Sequence, residues 1–346
     1  MTLTHDIAVS PVEPIAGKAR SQLVDIVKGV AIGLVAYGHS TQGMEHRGWW
    51  NSPAYIFSDT FIYSFHMPVF FFVAGLFLIG SLHRRGLKHF TLDKLQTILY
   101  PYMLWAALGG YLSIPLINWV HPNTPPRGVQ FFLQLVDGDA SWFLMTLFIC
   151  LMLAAVTSRL PHWLRFILGA VMAVTIVAPP GSMTILYYVP REFCFLATGM
   201  WVGSSIHKLE KLPVWAAALG CCTVMGIQAF MIHRYGVPGR YVYIPLGLMG
   251  TLGLFLAARV IEHTGTGKFF VWAGQASLAV FLLSPYCQGV VREPLARFLH
   301  VQSFWPQLVL PTLSAFLIPV VIWHQQKPWK ITWFFRWPSG NRASAE

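Results

Sequence analysis

Apolar runs of about twenty residues recur from one end of this chain to the other, each long enough to cross a hydrocarbon layer about 30 Å thick as a helix. A backbone in lipid must satisfy its own polar groups, which leaves helices and closed barrels as the only spanning solutions. Runs this continuous, without strict alternation, point to helices. Composition agrees, since 55% of the 346 residues are hydrophobic and 11% charged, against about 25% charged in soluble domains. The expected fold is therefore an all-α integral membrane protein, a polytopic bundle of about ten transmembrane helices. Their centres fall near residues 30–44, 57–79, 96–117, 141–157, 163–179, 187–206, 213–232, 241–260, 270–289 and 306–324.

Pro, Gly and charge punctuate the runs, as in "HRRGLKHFTLDK", "HPNTPPRG", "APPGSM", "VREPLAR" and "QQKPWK". No connection exceeds about 25 residues, which predicts that no soluble domain is inserted. Residues 1–22 are expected to form a cytoplasmic tail, 23–325 the membrane domain and 326–346 a second cytoplasmic tail. In that orientation about 17 of the 24 Lys and Arg lie on the cytoplasmic side and about 7 on the other, the bias that sets topology. The net charge of +11 then meets anionic lipid headgroups and anionic cytoplasmic ligands, and no nucleic acid is needed to explain it. The first twenty residues lack a continuous apolar stretch and do not read as a cleavable signal. Cys150, Cys194, Cys221, Cys222 and Cys287 have neither metal nor redox spacing, so apolar filling is their expected use and no metal is expected.

The first run, "DIVKGVAIGLVAYGHS" (Asp25 to Ser40), carries an ionisable residue inside a membrane helix, which chains rarely keep without a use. Eleven residues separate Lys28 from His39, about 20° past three full turns and about 16.5 Å along the axis, so both face the same way. Asp25, three residues before Lys28, is close enough to pair with it. Such a stripe should not face lipid, and it puts His39 a little past the middle of the hydrocarbon layer. The alternative is that His39 is a hydrogen-bonded packing residue. Gly29, Gly33 and Gly38 would let a neighbour come close to this backbone.

A basic residue, ten intervening residues and a histidine on the first helix resemble the pattern of the membrane-bound acyltransferase 3 family. "FHMPVFFFVAGLF" (Phe65 to Phe77), "SWFLMTLF" (Ser141 to Phe148) and "WAGQASLAVFLLSP" (Trp272 to Pro285) are similar, in order, to further signatures of that family. The "GHS" and "FHMP" forms are nearest to its sugar O-acetyltransferase branch. The resemblance implies an enzyme of the bacterial inner membrane with no permanently bound cofactor. It implies transfer of an acetyl or short acyl group from cytoplasmic acetyl-CoA, or another acyl-CoA, to a hydroxyl of a carbohydrate, an exported or lipid-linked glycan. Two departures stand out: Ser284 occupies a position where many relatives have histidine, and "RGLK", Arg85 to Lys88, replaces a pair of arginines. Lysine keeps the charge but loses the bidentate fork. Relatives with a fused extracytoplasmic domain carry a long extension, which is not expected here.

A neutral imidazole suits removal of a hydroxyl proton as the hydroxyl attacks a thioester, and it is also a competent nucleophile. His39 is expected to take one of these two roles. Lys28 and Asp25 would line the cytoplasmic mouth, meeting the donor's phosphates or pantetheine arm, unless they are a snorkelling interfacial pair. Arg84, Arg85 and Lys88 would meet the anionic donor, or else only set topology. His66 and Asp59 are seven residues apart, on nearly one helical face, in an otherwise apolar span, which suggests substrate or proton handling. Trp142 and Phe143, and Trp49 and Trp50, could stack on sugar rings or belong to an interfacial belt. Arg191 and Glu192, beside Pro190, are a candidate charged pair on the acceptor side. A secondary transporter would also have about ten helices and a midplane ionisable residue, but the chain has no repeated halves.

Overall fold

The computed structural model describes residues 21–50, 52–109, 142–176, 184–236 and 239–338. Residues 1–20 and 339–346 of the two expected terminal tails, the "HPNTPPRG" and "APPGSM" connections and residues 110–117 of the expected third span lie outside the described residues. Among those described there is no strand. The helices are α1 (Gln22–Glu45), α2 (Pro53–Tyr63), α3 (His66–Lys94), α4 (Trp142–Val156), α5 (His162–Thr175), α6 (Thr184–Val202), α7 (Val214–Tyr235), α8 (Arg240–Ile261), α9 (Gly267–Gln275), α10 (Ser277–Arg297) and α11 (Phe304–Gln325). A further helical stretch continues from α3 to Gly109 through a wider π turn at Leu95–Leu99.

By length and composition, six of these helical segments can cross a membrane, or seven if the bent pair α9 and α10 counts as one span. Among the described residues this is fewer than the expected ten or so, for identifiable reasons. The expected second and third spans fall in one near-continuous helical stretch, Pro53–Gly109, which is interrupted by the turn at Ser64 and Phe65 and by a kink at Gly86, with φ 69°, while the rest of the basic "HRRGLKH" segment is helical. The fifth is only 14 residues, too short for the roughly 20 a span needs. The sixth carries Pro190, Arg191 and Glu192 within α6. The ninth is broken by an 82° bend between Gln275 and Ser277, and "VREPLAR", expected as a boundary, lies inside α10.

Local chemistry explains the helix starts that matter for the site. Asp25 in the first turn of α1 favours the positive end of the helix dipole. Ser52 caps α2 by accepting from the Tyr55 backbone N–H at 3.3 Å, with Pro53 at the first helical position. The chain then turns at Ser64 and Phe65 before α3 begins at His66.

Helix α1 is the hub of the bundle, packing against α3, α8, α9, α10 and α11. Its close approach to α9 depends on glycine at both contacts: a Cβ at Gly29 would meet the Phe270 carbonyl oxygen, and one at Gly274 the Asp25 carbonyl oxygen. Helix α7 lies at the periphery, with Trp215, Leu219 and Phe230 exposed, as a lipid-facing helix requires. The segment after α11 packs back on the bundle: Phe335 is buried, Trp105 Nε1 donates to the Phe334 carbonyl at 2.8 Å and the Trp337 N–H to the Gln96 carbonyl at 3.1 Å.

Candidate active site

His39 lies two turns from the end of α1 and lines a cavity of about 890 Å³ together with Gln42, Asp59, His66, Trp142 and Arg191. Five residues singled out from the sequence, on α1, α2, α3, α4 and α6, therefore converge on one chamber. No hydrogen bond to a described residue holds the His39 imidazole, so its ring nitrogens are available to a substrate. His66 is held differently. It is buried, its ring stands edge-on to Tyr63 at 4.5 Å, and its Nδ1 lies 2.7 Å from the Ile62 carbonyl. A carbonyl oxygen only accepts, so Nδ1 carries the proton and, in the neutral ring, Nε2 is left as an acceptor.

Asp59 and His66 do not share a helical face, because the turn at Ser64 and Phe65 separates α2 from α3. The chamber unites them nonetheless. Gln42, one turn beyond His39, lines the chamber with both Asp59 and Tyr63. Asp59 Oδ1 is buried without a hydrogen-bond partner among the described residues, an arrangement that leaves an acceptor beside the histidines.

The opposite wall is aromatic. The Arg191 guanidinium stacks over Tyr243 at 4.2 Å, Tyr188 at 4.9 Å and Tyr187 at 5.4 Å. Its Nε and Nη2 each lie 2.8 Å from Glu192 Oε1, and the Tyr243 hydroxyl donates to the same oxygen at 3.2 Å. Glu192 is fully buried behind this wall and does not line the chamber. Trp142 stacks on Tyr188 with ring centres 4.0 Å apart and planes 19° apart. Trp50 instead packs against Tyr55 and Phe304, and neither it nor Trp49 lines the chamber.

Asp25 and Lys28, paired at 3.7 Å, line a second cavity of about 530 Å³. Its walls are apolar, with Phe77, Phe90, Leu147 and Leu151 among them, and Lys94 also lines it. Arg84 and Arg85 belong to a third, open groove of about 1030 Å³ completed by Arg336 and Trp337. Lys88 is exposed and lines none of the three. Asp93 links groove and second cavity: it pairs with Arg85 at 2.9 Å and Arg336 at 3.7 Å on one side, and with Lys94 at 2.9 Å on the other.

A family model described as an acyltransferase domain matches residues 22–324. The chain belongs to the acyltransferase 3 family. It is an integral-membrane acyltransferase, and the matched residues take in every helix that lines the first two cavities. A nodulation protein NolL from Sinorhizobium fredii is 27% identical over 313 residues, 82% of each chain. A nodulation protein NolL from Mesorhizobium japonicum is 24% identical over 336 residues, 89% of this chain and 87% of the relative. No solved structure matches.

Several groups in this acyltransferase were not evident from sequence. Gln288 and Arg292 on α10 are buried and clamp the turn that carries His39. The Gln288 side-chain amide hydrogen-bonds with Ser40 Oγ at 2.7 Å, and Arg292 Nη2 donates to the Ser40 carbonyl at 2.9 Å. "VREPLAR" resembles an interfacial loop, and only the packing of α10 on α1 turns its first arginine inward. Arg47 and Glu293 close the cluster as an ion pair. Ser284 is buried, outside the chamber lining, and its hydroxyl has no partner among the described residues. No group of His, Cys, Asp and Glu among the described residues could hold a metal ion.

Proposed function

We propose that this acyltransferase moves an acetyl or short acyl group from cytoplasmic acyl-CoA to a hydroxyl of a carbohydrate, an exported or lipid-linked glycan, in the bacterial inner membrane with both termini in the cytoplasm. The observation that carries this reading is the alignment of two cavities along α1. Lys28 lines one and His39, about 16.5 Å along the same face, lines the other. In this reading the nucleotide of the donor occupies the groove of Arg84, Arg85 and Arg336, where guanidinium groups suit phosphate. The pantetheine arm crosses the Asp93 turn into the apolar cavity past Lys28 and Lys94. The acceptor occupies the aromatic chamber, whose tyrosines and Trp142 offer flat faces to a sugar ring and whose Arg191, Asp59 and Gln42 offer hydrogen bonds.

His39 then removes the acceptor hydroxyl's proton as its oxygen attacks the thioester carbon, and the thiolate of coenzyme A leaves. The alternative route puts the acyl group on His39 first and passes it to the hydroxyl second. His66 Nε2 and Asp59 Oδ1 are the acceptors available to orient the hydroxyl. No resident cofactor enters either route. A transporter reading gains nothing from a family whose model describes an acyltransferase domain.

The decisive experiment follows radiolabel from acetyl-CoA into a membrane glycan fraction. Label in the glycan that depends on the protein is expected, and its absence across a panel of acyl-CoA donors would overturn the reading. For the donor groove, Arg85→Ala is expected to weaken acyl-CoA binding roughly tenfold, about 1.4 kcal/mol, with a smaller change for Lys88→Ala because Lys88 lines no cavity. Equal donor affinity in wild type and Arg85→Ala would return this segment to a topological role.

A further inference from the structure

The donor cavity and the acceptor chamber abut end to end, and the same helices line both. On α1 the lining passes from Ile32 to Val35, on α3 from Phe70 to Met67 and on α4 from Phe143 to Trp142. The change-over therefore occupies about one helical turn or less, roughly 4.5 Å between Ile32 and Val35. On α10 there is no gap at all, because Phe281 lines both spaces. Its ring lies 4.9 Å from that of Phe143, which in turn lies 5.7 Å from Phe70 and 5.3 Å from Phe71. These rings form a thin apolar partition, and Phe143 and Phe71 are buried while Phe281 and Phe70 are only partly so.

The backbone that carries Phe281 is loosened on both sides. The 82° bend between Gln275 and Ser277 precedes it. Pro285 follows it by four residues, and proline has no N–H to donate to the Phe281 carbonyl. The ring at the centre of the partition is thus borne on a helical turn that lacks its usual hydrogen bond. Phe143, by contrast, is fixed in a close-packed core.

We propose that Phe281 is the specificity-determining residue of the transfer: its ring is the aperture that the acyl group must pass to reach His39, and it decides which acyl groups pass and how much water reaches the thioester. The inference rests on the donor and acceptor assignments above and goes further by naming the residue that reads the acyl chain. A reacting carbon must come within about 3–3.5 Å of its attacking atom, so a thioester entering from the Lys28 side presents its acyl end to the ring first. A short acyl group slips past with a small rotation of the ring, and a longer one needs the ring displaced. With the ring in place the donor cavity stays sealed from the polar chamber. Without it, water in the chamber can attack the thioester carbon, giving the free carboxylic acid and coenzyme A thiol.

The test uses the full-length protein in membranes or detergent with acetyl-, butanoyl- and hexanoyl-CoA, measuring acyl transferred to the glycan and thiol released with and without acceptor. Phe281→Ala is expected to release severalfold more thiol per acyl transferred. It is also expected to shift preference toward the longer chains by about tenfold or more, the scale set by a methylene or two in an apolar pocket. Phe281→Trp should do the opposite, slowing butanoyl and hexanoyl transfer more than acetyl, and it decides the matter if the alanine variant fails to fold. Unchanged chain-length preference and unchanged thiol-to-transfer ratio in a folded variant would overturn the role of Phe281. A wild-type protein that transfers no acyl group from any of the three donors would instead sink the donor assignment itself.

Discussion

The His39→Ala protein, inserted at wild-type level, is expected to transfer acyl groups about 10²–10⁴-fold more slowly, the contribution of a well-placed general base. The loss should fall on kcat, with donor affinity retained, because the Arg85 groove and the Lys28 cavity are lined without His39. Folding should survive. Alanine is the best helix former, and the imidazole it removes makes no hydrogen bond to a described residue. One measurement also separates the two chemical routes. In a single turnover with labelled acyl-CoA and no acceptor, label that becomes bound to wild-type protein and not to His39→Ala marks an acyl-histidine, whereas no bound label in either marks a general base. A His39→Ala protein that transfers at near wild-type rate would return the residue to packing.

Periodicity along one helix was enough to align Asp25, Lys28 and His39, because α1 is continuous and the rule of 100° per residue holds across it. The same rule failed for Asp59 and His66. Their shared cavity arises from a turn at Ser64 and Phe65 that redirects the chain, and no local signal in "YSFHM" announces which way. Span counting and the described helices differ where hydropathy and helix length part company: helix persists on both sides of the Gly86 kink through charged residues, and α9 and α10 bend within an apolar stretch. Charge alone misled at Arg292, which packing on α1 carries inward to the Ser40 carbonyl. The arginines of the "HRRGLKH" segment were legible as a basic cluster, but their company was not. Arg336 and Trp337 reach Arg84 and Arg85 only because the chain after α11 folds back on Gln96. Phe281 is invisible in a sequence where phenylalanine is common, and Phe143 stands out there only as a candidate for stacking on a sugar; their ring contacts and the cavities on either side are what place them in one partition.

Arg191→Met is expected to be the most destabilising single change at the site. Glu192 is fully buried, and among the described residues its carboxylate meets only the Arg191 guanidinium and the Tyr243 hydroxyl, both on Oε1. Its Oε2 already lacks a partner among the described residues. Removing the guanidinium leaves a carboxylate buried and uncompensated, which costs about 3–5 kcal/mol. That is a large part of the stability of most folded proteins, so yield and thermal midpoint should both fall. Replacing both charges by apolar side chains of similar volume is often neutral for folding, and Arg191→Met with Glu192→Met should therefore recover the wild-type midpoint. Transfer should not recover with it. Arg191 lines the acceptor chamber, stacked on three tyrosine faces, so the double variant is expected to keep its KM for acyl-CoA while the KM for the glycan rises. Recovery of both stability and acceptor KM in the double variant would make the pair a structural ion pair with no part in holding the acceptor. Stability recovered with acceptor binding still lost would assign Arg191 to the wall that the acceptor touches, and Glu192, which never reaches the chamber, to holding Arg191 there.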